Sequence, residues 1–330
     1  MILGLLLLAG VLGAVYWIYA SAFAGGADAP EGPVKVEVVK GDTLSRVATK
    51  LEEAGVIKSA LVLKAQARIE GYGTEIKTGR YTFEPGQESE VILEKLTAGD
   101  AVPTVAVTVP EGLTLVETAD AVAAGTDVPA EDFEVAARET DYGYAFLEDE
   151  NIKTTEGYLF PRRYDFEEGV TAVGIVDRLL GQYLIETEGL DIAGAKERHG
   201  LTEHELVTVA SLIEKESANA EERPVIASVI YNRLRRDMPL QIDATIQYAL
   251  KRPKENLSLA DLEVDSPYNT YENTGLPPGP ICSPSRQSLE AAIDPAQTDY
   301  LYYVLKANGR EHFFTDDYRT FLREKEEAGR

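Results

Sequence analysis

The chain has 330 residues, with 32 Lys and Arg against 56 Asp and Glu, for a formal charge of −24. So acidic a surface excludes non-specific nucleic-acid binding, which depends on neutralising phosphates with cations. A hydrophobic share of 44% and a charged share of 27% exclude disorder as the main state, and the length fits roughly two domains. One cysteine, Cys282, and three histidines, His199, His204 and His312, support neither a disulfide framework nor a Cys/His zinc cluster. Carboxylates, hydroxyls and amides are left to carry the chemistry, with no metal or cofactor expected.

From Ile2 to Ala24 there is no charge, and the run is long enough as a helix to cross a hydrocarbon core of about 30 Å. Tyr16, Trp17 and Tyr19 cluster toward its end, as in an interfacial aromatic belt. The alternative is a cleaved signal peptide, with Ala20-Ser21-Ala22 as the A-x-A site, but the apolar run exceeds an ordinary signal core and no basic segment precedes it. Either reading exports the rest of the chain. The expectation is a single-pass anchor over 1–24 and a tether rich in Gly, Ala and Pro over 25–33. The body then lies in the periplasm or outside the cell.

Val34 to Val39 alternates as a strand, Gly41-Asp42 turns the chain, and Thr43 caps a helix that runs to a Gly55 stop. A second helix is predicted over Ser59–Glu70 and a strand over Gly79–Phe83. This β-α-α-β order, with KGDTLSRVA at its first turn, resembles LysM modules, and the resemblance implies binding of N-acetylglucosamine-containing glycans over 34–100. The alternative is a small α+β unit without a ligand. Glu88–Leu96 is predicted helical. A strand over Val105–Val109, a turn at Glu111-Gly112 and a helix opened by Thr114 then echo the first unit. Helices follow over Ala130–Arg138, Val170–Glu186 and Thr202–Ala218, the last opened by a Thr202/Glu205 capping box. Arg223-Pro224 starts another helix, with proline in its first turn. Asp243 and Ser258 are read as further N-caps, and Ser283-Pro284 as the start of a helix through Ile293. Tyr300–Leu305 and His312–Phe314 alternate as strands. The mixture is α+β rather than a doubly wound parallel sheet.

Glu214 and Glu216 stand in an otherwise apolar helical pattern, ASLIEKES. At roughly 100° per residue they flank the stripe of Leu206, Val209, Ala210 and Ile213 on opposite sides, so both cannot enter one cleft. Side chains lean over the preceding turn. Glu216 therefore lies over Leu212, Ile213 and Val209, whereas Glu214 lies over Ala210, Ser211 and Val207. Desolvation raises a carboxyl pKa, which makes Glu216 the candidate general acid; lysozyme is the standard precedent for such a tuned glutamate. The alternative is a pair of surface glutamates bridged to Lys215 and Arg223. Asp243 can be a second acid or only a helix cap. Arg233, Arg235 and Arg236 form a basic spot, read either as solvated surface or as a site for substrate carboxylates. No G-x-S-x-G elbow, P-loop or G-x-G-x-x-G fingerprint occurs.

Three runs taken in order resemble the YceG-like endolytic murein transglycosylases over about residues 155–320. They are ASLIEKESANAEERPVIASVIYNRLRRDMPLQIDATIQYAL, then SPYNTYENTGLPPGPICSPSRQSLEAAIDPAQTDYLYYV, then HFFT. The resemblance implies a catalytic domain over 101–330 with a lysozyme-like catalytic helix, and cleavage of MurNAc-β-1,4-GlcNAc bonds within peptidoglycan strands to leave 1,6-anhydro-MurNAc ends. It matches the family's catalytic glutamate to Glu216, whose pairing with Ser217 is also similar to other lytic transglycosylases. It implies sugar binding for Asn232, Gln241, Asp243, Thr245, Tyr268, Asn269, Thr270 and Tyr271, each of which can alternatively serve the fold. Partners implied are glycan strands, the membrane and the wall synthases. A non-catalytic peptidoglycan-binding or scaffolding protein is the alternative function.

Overall fold

The structure is a computed structural model that describes residues 30, 32–72, 76–99, 104–217, 219–251, 254 and 257–329. The proposed membrane run and most of the tether lie outside the described residues. Among the described residues, no helix is long and apolar enough to cross a membrane. The chain divides into two compact units between Val105 and Ala106.

The first unit runs β1 (Val34–Val38), α1 (Leu44–Glu53), α2 (Ala60–Ile69), β2 (Gly79–Phe83) and α3 (Ser89–Ala98). The strands pair antiparallel, with Val36 opposite Tyr81 and Val38 opposite Gly79. The period of two turns Val36, Val38, Tyr81 and Phe83 inward, where they meet Val47 and Leu51 of α1, Leu63 of α2, and Ile92, Leu93 and Leu96 of α3. Each fully buried side chain of this size contributes about 1.5–3 kcal/mol, so this core can hold so small a unit together. Thr43 is the predicted N-cap: its hydroxyl accepts from Arg46 N. Beside it Asp42 accepts from Lys50 Nζ and from Val39 N, and Lys50, followed by that backbone donor, holds the carboxyl below its usual pKa.

The second unit follows with β3 (Thr104–Thr108), which crosses the boundary, and then α4 (Leu115–Gly125), α5 (Ala130–Arg138), β4 (Arg163–Glu167), α6 (Ala172–Thr187), α7 (Ile192–His199) and α8 (Glu203–Glu216). It ends with α9 (Arg223–Leu234), α10 (Asp243–Leu250), α11 (Arg286–Ile293), β5 (Tyr302–Leu305), β6 (His312–Thr315) and α12 (Tyr318–Glu327). Strand β3 pairs with β4, and β5 with β6 in an antiparallel hairpin. α8 is the central helix. Leu206 through Ile213 are all buried, and α8 packs against α7, α9, α10 and α11, which is how a helix apolar on all sides is accommodated. Its capping box is formed at both ends, Glu205 N to Thr202 Oγ1 at 3.2 Å and Thr202 N to Glu205 Oε2 at 2.7 Å.

Three boundary predictions need correction. Asp243 is the first helical residue of α10 and not its cap: Ile242 takes the cap position, with its own N–H bound to Thr270 Oγ1, so the Asp243 carboxylate is free for another partner. Ser258 and Asp261 do bond reciprocally, but they close a turn that no helix follows. α11 begins at Arg286 with Ser285 as its cap, because Ser283 is already committed through both backbone groups to Gly112 and Leu113.

One contact brings the GYLFP turn against the proline-rich loop. Gly157 sits at φ +89°, and a Cβ there would lie 2.5 Å from Pro280. Only glycine tolerates both the angle and the approach.

Candidate active site

The two glutamates of α8 separate as the helix period requires. Glu214 turns to the start of α11, where its Oε2 accepts from Ser285 N at 2.9 Å, Ser285 Oγ at 2.6 Å and Ser288 Oγ at 2.7 Å, and its Oε1 takes Arg223 at 3.3 Å. It satisfies orphan donors at a helix N-terminus and pairs with a buried guanidinium, so it is a structural joint.

Glu216, the last residue of α8, turns instead to the β5–β6 hairpin. Tyr303 donates its hydroxyl to Glu216 Oε2 at 2.8 Å. Desolvation is the main force on this carboxyl and pushes its pKa up to about 7; the Tyr303 hydrogen bond opposes it, the nearby charge of Asp243 adds to it, and that of Arg233 opposes it. The helix C-terminus, with its partial negative charge, also disfavours a carboxylate there. A carboxyl poised near neutrality can both give and take a proton.

Arg233 of α9 organises the surroundings. Its Nε donates to Leu301 O at 2.7 Å and its Nη1 to Pro239 O at 3.2 Å and Leu240 O at 2.7 Å, and its guanidinium lies 5.4 Å from the centroid of the Tyr302 ring. The reading of this arginine as solvated surface is therefore corrected: it is buried, because three carbonyls replace its water. The same residue anchors the entry to β5 and the turn before α10. In that turn Gln241 is exposed and held at φ +52°, an uncommon conformation for a residue with a side chain, with its N–H bound to Thr270 O. Two residues on, Asp243 Oδ1 accepts from Tyr271 OH.

The sugar-binding candidates divide accordingly. Asp243 and Tyr271 lie near enough to Glu216 to interact with its charge, and Gln241 is exposed two residues before Asp243. Asn232, Thr245, Asn269 and Thr270 are buried and their polar atoms are taken up by the fold. Asn232 Nδ2 donates to Thr298 O and Tyr300 O, Asn269 Nδ2 donates to Leu262 O and Val264 O, and the Thr245 and Thr270 hydroxyls bond each other. Tyr268 stacks at a tilt on Tyr248, 4.8 Å between centroids. Tyr303 is a neighbour of Glu216 that sequence reasoning missed, and Arg233 is one that it singled out only as part of a basic spot. In a YYV strand nothing local says which tyrosine faces the helix, and a burst of arginines reads as surface. Among the described residues, no three His, Cys, Asp or Glu side chains are placed to hold a metal ion.

A second raised carboxyl also went unread. Glu156, just before the GYLFP turn, is buried, and Leu115 N donates to both its oxygens at 3.0 Å, while Tyr248 OH reaches Oε2 at 3.4 Å. It closes the N-terminus of α4 from a distance of 41 residues. Desolvation nonetheless prevails over these bonds and lifts its pKa to about 7. The native carboxyl thus holds its proton more tightly than an unfolded glutamate, so its contribution is fully present below about pH 4 and is lost as pH rises through about 7. Glu156→Gln keeps an acceptor oxygen and removes the charge. Urea titrations of the full chain are expected to show the decline in stability between pH 5 and pH 8 reduced by about 2–3 kcal/mol in this variant.

Comparison with known proteins adds a family. The profile described as the YceG-like family matches residues 36–327. A protein of Bacillus subtilis strain 168 named endolytic murein transglycosylase is 35% identical over 310 residues, covering 89% of this chain and 84% of that protein. A Streptococcus pneumoniae R6 protein of the same name is 36% identical over 299 residues, covering 82% of this chain; the chain spans about half of that relative, 54%. A crystal structure of a YceG-like protein from Listeria monocytogenes is 31% identical with a TM-score of 0.61, covering 89% of this chain and 99% of that one.

Proposed function

The chain belongs to the YceG-like family, and on that premise we propose that it is an endolytic murein transglycosylase with Glu216 as its general acid and base. The observation that carries this reading is the partly buried carboxyl at the end of α8, held by Tyr303 and raised to about 7. The named relatives supply the reaction class. Glu216 gives its proton to the oxygen bridging MurNAc and GlcNAc as the C1–O bond breaks and the bonding pair leaves with that oxygen. The resulting carboxylate then takes the proton of the MurNAc C6 hydroxyl as its oxygen closes on C1. Water is not consumed, and the intramolecular nucleophile benefits from high effective molarity, so the second carboxylate of a hydrolase is not required.

Gln241, Asp243 and Tyr271 contact the sugars beside Glu216. Tyr268 shapes the same loop, Thr245, Asn269 and Thr270 hold it in place, and Asn232 holds the segment that leads into β5. Residues 101–330 form the catalytic domain and 34–100 a LysM-like unit that binds the glycan, a reading supported by the β-α-α-β order of the first unit. The uncharged run over 1–24 anchors the protein in the membrane with its body outside, beside the wall synthases, and the acidity is that of a solvated exported surface.

Digesting purified sacculi with the full chain and examining the products by mass spectrometry tests the reaction. Internal fragments with 1,6-anhydro-MurNAc ends are expected. Reducing MurNAc ends would make the protein a hydrolase, and binding without any release would make it a scaffold.

A further inference from the structure

We propose that Tyr303 is the positioning residue that decides which oxygen of Glu216 carries the working proton. This rests on Glu216 being the general acid. A carboxyl has two equivalent oxygens, and a proton on the wrong one points away from the bond to be broken. The Tyr303 hydroxyl donates to Oε2 at 2.8 Å. With that oxygen occupied as an acceptor, the neutral carboxyl carries its proton on Oε1 and presents it to the sugar. After transfer the same hydroxyl remains as a donor to the carboxylate, a charge-assisted bond that strengthens as charge appears.

The phenol is held in place for this role. Tyr303 lies opposite Phe314 in the β5–β6 register, with ring centroids 5.9 Å apart. The His312 ring abuts it edge-on at 5.4 Å and 89°. His312 is itself clamped: its backbone N–H donates to Glu222 Oε1 at 2.9 Å, and its Nδ1 lies 2.8 Å from Glu222 Oε2. The chain Glu222, His312, Tyr303 and Glu216 thus runs from the start of α9 through the hairpin to the end of α8. The titratable and charged groups that face Glu216 are Tyr303 from β5, Arg233 from α9, Asp243 from α10 and Tyr271 from the loop after α10. Of these, Tyr303 has a direct hydrogen bond to the carboxyl. Its phenol is kept protonated by burial and by the adjacent Glu216 charge, so it serves as a donor throughout.

Two changes at this position test the proposal on the full chain with sacculi as substrate. Tyr303→Phe preserves the ring and its packing and is expected to lower kcat about 10–100-fold with KM little changed. It also moves the alkaline limb of the kcat profile to higher pH, because a bond that favours the charged carboxyl is gone. Incorporating 3-fluorotyrosine at 303 keeps the shape and strengthens the donor; the same limb is expected to move to lower pH. A merely structural role would lower the amount of active enzyme without moving the limb in either direction, and that result overturns the proposal. So does a gain in kcat in Tyr303→Phe, which would mean that the phenol accepts the working proton and withholds it. Glu216→Gln, run in parallel, separates the two levels. An active Glu216→Gln rejects the acid assignment itself, whereas an inactive one beside an unshifted Tyr303→Phe rejects only the role of Tyr303.

Discussion

Replacing Glu216 by glutamine is expected to lower the rate of strand cleavage about 10³-fold, within the range set by a general acid, while leaving a folded protein. The amide keeps the shape and an oxygen for the Tyr303 hydroxyl, but it has no proton of the right acidity to give and cannot take one back from the C6 hydroxyl. Both halves of the cycle fail together, so kcat and kcat/KM are expected to fall alike. The stability effect has the opposite sign. In the native protein this carboxyl holds its proton up to about pH 7, well above an unfolded glutamate, so the stability it provides at acid pH is lost as pH rises through about 7. At pH 8 the ionised form is the uncomfortable one, and Glu216→Gln is expected to unfold at higher urea, by about 1–3 kcal/mol. A variant that is inactive yet more stable above neutrality has lost the chemistry and not the fold. Loss of activity with loss of stability at every pH would reject the assignment.

Replacing Arg233 by methionine is expected to cost about 3–5 kcal/mol of stability, the largest effect on folding considered. Methionine fills much of the stem's volume, but Leu301 O, Pro239 O and Leu240 O each lose a charged donor, and an unpaired buried carbonyl costs about 1–3 kcal/mol. Those carbonyls lie on the two segments that deliver Tyr303 and Asp243, so loosening is expected to reach the site. Glu216 would also lose a favourable positive charge, and the alkaline limb of activity in the surviving folded fraction should move to higher pH. Arg233→Lys is expected to recover only part of the loss, because an ammonium is a point donor and cannot reach three carbonyls in the geometry of a guanidinium fork. Urea unfolding curves and pH–rate profiles of the three proteins measure both effects. If the methionine variant matches the parent in stability, the three bonds do not hold the site.

Much of the secondary structure was legible because its signals are local. The Thr114 helix start, the Thr202 capping box, the Thr43 cap and the proline in the first turn of α9 each act within one turn of chain. The divergence of Glu214 and Glu216 was legible for a related reason: residues two positions apart on one helix point to different sides, and the two carboxyls do meet different partners. The failures were also physical. Asp243 has the composition of a cap, but Thr270, far along the chain, already holds the Ile242 N–H. Ser283 precedes a proline as a helix start would, but its backbone is paired with Gly112 and Leu113. Asn232 and Asn269 carry amides suited to sugars, and here both amides bind backbone carbonyls.

By itself, then, the sequence determined many of the elements and the α+β character, though not β4, α7 or α12, since propensity, capping and helical periodicity operate over a few residues. Only the tertiary structure decided what Glu216 meets. Tyr303 lies 87 residues from Glu216, Leu301 is 68 from Arg233, Tyr271 is 28 from Asp243 and Leu115 is 41 from Glu156. Partners so far apart are set by which faces of α8, α9 and the β5–β6 hairpin pack together, and that choice follows from the shape of the whole core. A polar group's environment, and with it its proton affinity, is a property of the packed unit and not of the segment that carries it.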